Sequence, residues 1–503
     1  MTDQTEGENA AARFAALLQG CESEQLHLSG AIQSFGAMLR IDTITSRVTH
    51  ASANLADYVG TPAADLLGRH VSEIGWLSPD DFPRLEVQAG KTLSVVNLLE
   101  DASGSVDARL IRGTDAILIE IERNSMRAEP LAIYLHQRPL MNPPGDLDDL
   151  EEYHRILLEA FHAVTGFGRV MIYRFQDDWS GEVVAERTGV GMGSYLGLHF
   201  PASDIPAIAR DLYMINPARM IPDVAAPTVP VLGISAEPPD LTWSDLRSVS
   251  PVHLQYLQHM KVGASFSVPI RVAGRLWGLV ACHHESSRLL SPDQRSVCVT
   301  LTNTYALGLT SYHASRRLQM LDSLERRTSR VLEALADFSD PLDGIETNGQ
   351  VLIDSLAAQG FAMAVMNDVV IVGNGPDLDG MGIIDAWFMD ECPETLFATD
   401  RLAELFYDYP QLLAAASGMV AIKASSRRSG WVRFYWFRPA EPQEVAWAGN
   451  PNKAEAAVAG ALALSPRSSF ERWVEMRTDY ARAWSNEDTM VASKYRNNLL
   501  RWL

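Results

Sequence analysis

The chain predicts an α+β protein: three tandem units with antiparallel sheets, joined by a long helical spine. Three observations predict it. At 503 residues, and roughly 150 residues per domain, the length suggests about three domains. Short apolar or alternating runs separated by Gly, Ser, Asn and Asp turns recur in three blocks, the pattern of antiparallel strands. A single stretch from about Pro292 to Phe338 keeps apolar residues at helical spacing far longer than an ordinary helix.

In the first unit residues 1–20 are polar, Ala37–Leu39 and Val48–Ala51 read as strands flanking a turn at Asp42–Arg47, and Ala53–Val59 reads as helix. Leu93–Leu99, Val106–Ile111 and Ala116–Ile121, parted by SGS and GTD turns, complete a sheet. The paired prolines of MNPPGD (141–146) mark a boundary, since proline stops regular structure. In the second unit, LDDLEEYHRILLEAFHAV from Leu147 is an amphipathic helix leading into the strand RVMIYRF (169–175). SFSVPIRV (265–272) and RLWGLVACHH (275–284) form a strand pair turning at Ala273-Gly274. Along the spine, Leu318, Leu321, Leu324, Val331, Leu332 and Leu335 sit near helical spacing, with Arg316, Arg317, Arg326, Arg327 and Arg330 between them. The third unit begins near Pro341, with strands at 362–368 and 431–439. Its last stretch, Phe470 to Leu503, reads as mostly helical and stops without a cap, so the helix is expected to continue into a further module.

Composition narrows the function. Apolar residues are 47% and charged residues 21%, an ordinary globular balance. With 42 Lys and Arg against 63 Asp and Glu the net charge is −21, which argues against nucleic-acid or anionic-membrane binding, both of which rest on cations meeting phosphates. The longest apolar run, Leu412–Ile422, is too short for a bilayer that needs about 20 residues. The acidic start MTDQTEGENA has no apolar core and is no signal peptide. Four cysteines (Cys21, Cys282, Cys298, Cys392) without CxxC spacing are a reduced, cytoplasmic pattern. No glycine-rich phosphate loop, GxSxG, HExxH or kinase signature occurs, so a sensor is expected rather than an enzyme.

Four segments crowd polar residues into apolar surroundings. Cys21 precedes the first strand in a polar tail, and a lone thiol there is ordinarily inert. In FPASDIPAIARDLYMINPARM, Asp204 lies between prolines where capping or a turn is the ordinary role. Arg210, Tyr213, Asn216 and Arg219 follow at three-residue steps, which on one helix would present a face of two cations and two hydrogen-bonding groups, suited to carboxylates. A third segment carries Arg247, His253 and Tyr256. The fourth places Ser265 and Ser267 on one strand face and ends in Cys282, His283 and His284. Adjacent histidines on a strand point to opposite faces, so they make a poor metal site, and none is expected. With Tyr173, Phe200 and Tyr256 the inventory describes a site for a large, flat, dianionic ligand.

PASDIP, SVSPVHLQYL and LWGLVACHH together resemble the bacterial phytochromes over nearly the whole chain, and WAGNP (447–451) and SPRSSF (465–470) extend the likeness into the third unit. The resemblance implies an N-terminal segment and PAS domain at 1–128, a bilin-binding GAF domain at 129–318 and a PHY domain with tongue and signalling helix at 319–503. It implies biliverdin IXα held by a thioether to Cys21, and Ile32 and Gln33 in a segment threaded through a GAF loop as a knot. Asp204, with Ile205 and Pro206, would meet the pyrrole nitrogens through its carbonyl, and the D ring or Arg467 through its carboxylate. Arg219 and Arg247 would pair with the B-ring propionate, and Ser265 and Ser267 would serve the C-ring propionate. His253 would bond on the C-ring side and His283 at the D-ring carbonyl. Tyr173, Phe200 and Tyr256 would enclose the D ring, with Tyr213 also in the site. Arg467 and Ser469 would form a switch contact within the tongue, which changes between strand and helix. It further implies a red/far-red photoreceptor, a homodimer through the long helices, and an output domain such as a histidine kinase, or a response regulator. Ser29, the run Ser34-Phe35-Gly36, His259 and Lys261 depart from the family's usual residues. A GAF-type sensor for a cyclic nucleotide or haem-like ligand would use the same arginines, but needs no combination of Cys21, PASDIP and PRxSF.

Overall fold

The computed structural model describes residues 25–101, 104–124, 130–189, 191–336, 338, 341–426, 430–451 and 470–502. Contacts divide the chain into two compact units, Met1–Tyr312 with Ala446–Trp473, and His313–Val445 with Val474–Leu503.

In the first unit, β1 (Ala31–Gln33), β2 (Gly36–Asp42), β3 (Val48–Ser52), β4 (Thr92–Asp101), β5 (Gly104–Arg112) and β6 (Ala116–Asn124) build one sheet. Of the helix expected at 53–59, only the turn Ala56–Val59 forms, closed by Gly60 in the left-handed conformation at φ 68°. Helix α1 (Leu147–Thr165) starts where predicted, because the Asp146 carboxylate accepts the Asp149 amide at 2.9 Å and Gly166 closes the end at φ 63°. A second sheet contains β7 (Arg169–Phe175), β8 (Gly181–Thr188), β9 (His199–Phe200), then β10 (Arg219–Ile221) after helix α2 (Ala207–Ile215). Strand β11 (Thr228–Gly233), helix α3 (Pro251–His259) and the hairpin β12 (Ala264–Val272) and β13 (Arg275–His284) follow. Ala273 and Gly274 both take positive φ, 49° and 78°, as the tight hairpin turn requires. The spine α4 runs Pro292–Ala336, within two residues of expectation.

The boundary between the first two predicted units is crossed by pairing. Strand β11 joins the first sheet, antiparallel to β3 on one side and to β1 on the other. Charges reinforce the joint: Arg109 on β5 pairs at 2.7 Å with both Glu120 and Asp245, and Arg295 on α4 meets Glu122 on β6 at 2.5 Å. The carboxylates and Arg295 are largely shielded from water and Arg109 is partly so, and mutual pairing offsets their desolvation.

The second unit holds α5 (Pro341–Ser355), β14 (Gly360–Val365), β15 (Asp368–Gly373), α6 (Leu378–Asp390), β16 (Leu396–Thr399), β17 (Gly418–Ser426) and β18 (Gly430–Arg438). The strand expected over 362–368 is a hairpin instead, turned by Met366 at φ 53°, and its second arm is β15. Val432, Phe434 and Trp436 of β18 pack on α5, while Tyr435 and Phe437 face α6. With both faces covered, the run reads as continuously apolar. The last stretch is helical only in its second half. After β19 (Gln443–Ala448), the strand β20 (Arg472–Arg477) precedes a final helix α7 (Asn486–Trp502). No helix among the described residues is long and apolar enough to cross a membrane.

Candidate functional site

Strand register builds the site. Arg219 and Ile221 of β10 stand opposite Ser267 and Ser265 of β12, and Ser265 and Ser267 stand opposite His283 and Ala281 of β13. His283 and Leu279 in turn pair with Arg169 and Tyr173 of β7. Side chains alternate along strands, so Arg219, Ser265, Ser267, His283, Arg169 and Tyr173 share one face. The other face carries Met220, Phe266, Val268, Cys282, Val170 and Ile172 into the core against α1 and α4. The two histidines separate as expected. His283 faces the site, and on the opposite side His284 Nδ1 accepts the Gly168 amide at 3.2 Å.

Over this face lie α2, α3 and the turn before α2. The helical face expected to run from Arg210 to Arg219 does not form. Helix α2 ends at Ile215 because Pro217 holds Asn216 in an extended conformation, and Arg219 then lies on β10. Arg210 donates to the Ile205 carbonyl at 2.7 Å and stacks on Trp179, fixing the Asp204-Ile205-Pro206 turn. The Tyr256 hydroxyl donates to Asp204 Oδ2 at 2.8 Å, the Tyr256 ring lies parallel to His253 at 6.0 Å, and Phe470 packs edge-on against it at 5.0 Å. Tyr213 and Ser267 share a hydroxyl bond of 2.8 Å. Tyr173 contacts Phe200 at 5.9 Å, and its ring covers Gly181 so closely that a Cβ there would lie 1.8 Å from it. Cys21, Arg467 and Ser469 lie outside the described residues.

The electrostatics favour an anion. Arg219 donates to the carbonyls of Asp245, Arg247 and Ser248 at 3.2, 2.6 and 3.0 Å. Arg247, 5% exposed, donates to those of Leu241 and Thr242. Neither forms an ion pair among the described residues. Burial, and then the neighbouring Arg219 charge, push the Arg247 pKa down to about 9, and burial lowers that of Arg219. Two crowded cations satisfied by neutral carbonyls leave room for carboxylates to stabilise them. Burial also holds His253 at about 4, helped by Arg219, and His283 at about 3, helped by Arg169, so both rings are neutral at pH 7. His283 Nδ1 is buried and has no hydrogen-bond partner among the described residues, a polar atom suited to a ligand oxygen or nitrogen.

These shifts give a stability prediction. His154, bonded to the Tyr305 hydroxyl, is held at about 4 by burial, and His283 at about 3. A depressed histidine pKa contributes stability fully above the unfolded value of about 6.5, lost as pH falls toward the folded one. By the same reckoning His253, also held at about 4, adds an equal share, and the ligand-free protein should lose about 2 kcal/mol for each of the three histidines, about 6 in all, between pH 7 and pH 5. Urea unfolding at the two pH values checks it, and equal stabilities would refute it.

Sequence reasoning missed Arg169 and Glu186. Their buried pair (Nε to Oε1, 3.1 Å) anchors the loop before β9: Glu186 accepts the Tyr195 and Leu196 amides, and the Arg169 guanidinium lies 4.0 Å over the Tyr195 ring. Alternation within RVMIYRF could have revealed it, since Arg169 shares the face of Tyr173. Beside the arginines, Gln33 donates to the carbonyls of Met220 and Arg247 at 2.9 and 3.4 Å, while Ile32 bridges to Arg247. Strand β1 thus lies between β11 and residues 246–248. Of the departures, Ser29 and Lys261 are exposed, and Phe35 lies under the Arg295 guanidinium at 5.7 Å.

Fold and site together define a ligand-binding sensory module, and comparison with known proteins specifies it. Residues 21–124 match the PAS fold, 149–309 the GAF domain and 324–503 the phytochrome region. A bacteriophytochrome of Xanthomonas campestris pv. campestris is 32% identical over 493 residues, covering 93% of this chain and 76% of the relative. Cyanobacterial phytochrome B of Nostoc is 31% identical, covering 97% and 66%. The crystal structure of a bacteriophytochrome from R. palustris superposes with a TM-score of 0.82 at 28% identity, covering 96% of this chain and 99% of that one. The Stigmatella aurantiaca phytochrome photosensory core module also gives 0.82, at 30% identity, covering 96% and 97%. The chain belongs to the phytochrome family and is a PAS-GAF-PHY photosensory module. It spans 60–66% of the length of three cyanobacterial relatives.

Proposed function

We propose that this chain is a red/far-red light receptor, cytoplasmic, that binds biliverdin IXα covalently at Cys21 and passes light-driven change to an output module. The observation that carries the reading is the pair Arg219 and Arg247, buried beside hydroxyls and neutral imidazoles with carbonyls as their only described acceptors. The bilin would supply light absorption and isomerisation of the double bond between its C and D rings. The chain's residues do the rest. Arg219 and Arg247 take the B-ring propionate, and Ser265 and Ser267, with Tyr213 bonded to the latter, take the C-ring propionate. Asp204 supplies the anion that a protonated tetrapyrrole requires in a water-poor site, oriented by Tyr256. His253 donates on the C-ring side, and His283, with its unpartnered nitrogen, serves the D-ring carbonyl. Tyr173, Phe200 and Tyr256 wall the D ring, and the Ile205 and Pro206 backbone shapes the turn below it.

Cysteine chemistry supports Cys21 as the anchor. Cys282, Cys298 and Cys392 are buried, and burial raises the pKa of all three thiols, so none presents a thiolate. The position of β1 between β11 and 246–248 supports threading of the N-terminal segment. Residues 439–480 would form the tongue, with Arg467 and Ser469 meeting Asp204. Arg467→Ala is expected to leave attachment intact but slow or block the far-red-absorbing state, and an unchanged photoproduct yield would count against that contact. The family likeness supports a homodimer through the long helices, with a C-terminal kinase or a response regulator downstream. Incubation with biliverdin followed by a denaturing gel in zinc tests the reading. A fluorescent band at the chain's mass is expected, whereas its absence would favour a sensor of cyclic nucleotides or haem-like ligands.

A further inference from the structure

The second unit contains a buried cation that the light-binding site does not use. Arg438 is the last residue of β18, 2% exposed, and all its N–H groups find acceptors within this unit. Its Nη2 donates to the Leu356 carbonyl at 2.6 Å and its Nε to that of Ala357 at 3.3 Å, just past the end of α5. Its Nη1 donates to the carbonyls of Arg482 and Ala483 at 3.1 and 2.9 Å, and the guanidinium stacks on Trp484 at 3.7 Å. Nη2 also meets Asp488 Oδ2 at 3.2 Å. Asp488 is no ordinary surface partner. With Ser485 it forms the reciprocal cap that starts α7: the Ser485 amide donates to Asp488 Oδ2 at 2.9 Å, and the Asp488 amide donates to Ser485 Oγ at 3.0 Å.

The place of Arg438 in the chain gives these bonds a consequence. The chain leaves the second unit after Val445 and re-enters at Val474, and the intervening Ala446–Trp473 counts with the first unit. Arg438 stands seven residues before that departure, and its acceptors at 482–488 stand just after the return. Two more bonds tie the feet of the excursion together, Glu441 N to Tyr480 O at 2.8 Å and Gln443 Nε2 to Ala481 O at 2.9 Å. One rigid fork therefore joins the outgoing strand, the returning segment and the first turn of the last helix.

We propose that Arg438 is the positioning residue that couples the base of the excursion to α7, so that displacement of its two feet, residues 439–445 and 474–481, is delivered to the cap of the final helix. This rests on the light-receptor reading. Five fixed donors hold four carbonyls and a carboxylate in one geometry, and a shift of either foot must break a charge-assisted bond or carry Asp488 with it. The cap satisfies backbone groups that the first turn of a helix leaves open, so a bond that strains or relaxes it changes how firmly the first turn of α7 is wound.

The test is hydrogen exchange of residues 486–502 in the biliverdin-loaded chain, dark and after red illumination, with absorbance read on the same samples. The wild type should show a light-dependent difference in this helix. In Arg438→Met it should fall about fivefold or more, the lower end of ordinary coupling between sites, while the reversible absorbance change persists. Arg438→Lys, which keeps the charge but not the fork, should fall between the two and serves if the methionine variant does not fold. A wild-type-sized difference in either variant, or none in a wild type that photoconverts, would overturn the role of Arg438. Loss of photoconversion in the wild type itself would instead overturn the light-receptor reading on which it rests.

Discussion

Cys21→Ser should carry no bilin through denaturation. A serine oxygen does not add to a vinyl group as a thiolate does, so the zinc-fluorescent band should fall by a factor of about 100 or more. The buried thiols of Cys282, Cys298 and Cys392 cannot substitute, because burial raises all three and Cys282 and Cys298 sit in the core under the site's sheet. Reversible binding should survive, since Arg219, Arg247, Ser265 and Ser267 are untouched. A band of wild-type strength from Cys21→Ser would place the anchor elsewhere.

Asp204→Asn is expected to separate binding from switching. The amide keeps the shape of the carboxylate but removes its charge, weakening the bond from Tyr256 at 2.8 Å. A hydrogen bond to a charged group is worth about 1.5–3 kcal/mol, so an equilibrium depending on it should move about tenfold or more. Covalent attachment should be unchanged and light absorbed by the dark band should still bleach it. The photoproduct should fall about tenfold, in line with that energy. A photoproduct yield equal to wild type would show that Asp204 is not the anion the switch uses.

Much of the site was legible because strands obey a two-residue period. Ser265 and Ser267 could be put on one face from sequence alone, but which histidine joins them could not: a bulge at Ile270 and Arg271 shifts the register set by the Ala273-Gly274 turn by one residue and brings His283 opposite Ser265. What failed was long-range or governed by a single residue. Pro217 ends α2 and moves Arg219 from a helix face to β10, a stop that an X-Pro pair signals and a three-residue spacing hides. The turn at Met366 interrupts an apolar run without glycine or proline, so one long strand was expected where two form. Recruitment of β11 to the first sheet joins residues about 180 positions apart, and no local pattern announces such a pairing. Arg169 and Glu186 escaped notice because buried ion pairs look like surface charges until the register is known.

The central claim is that this chain switches reversibly under light. After incubation with biliverdin and removal of excess pigment, absorbance is recorded in the dark, after red light and after far-red light. A red or far-red band that one colour depletes in favour of the other, and that the second colour restores, is the predicted result. A bilin-loaded chain whose spectrum is the same under all three conditions would contradict it.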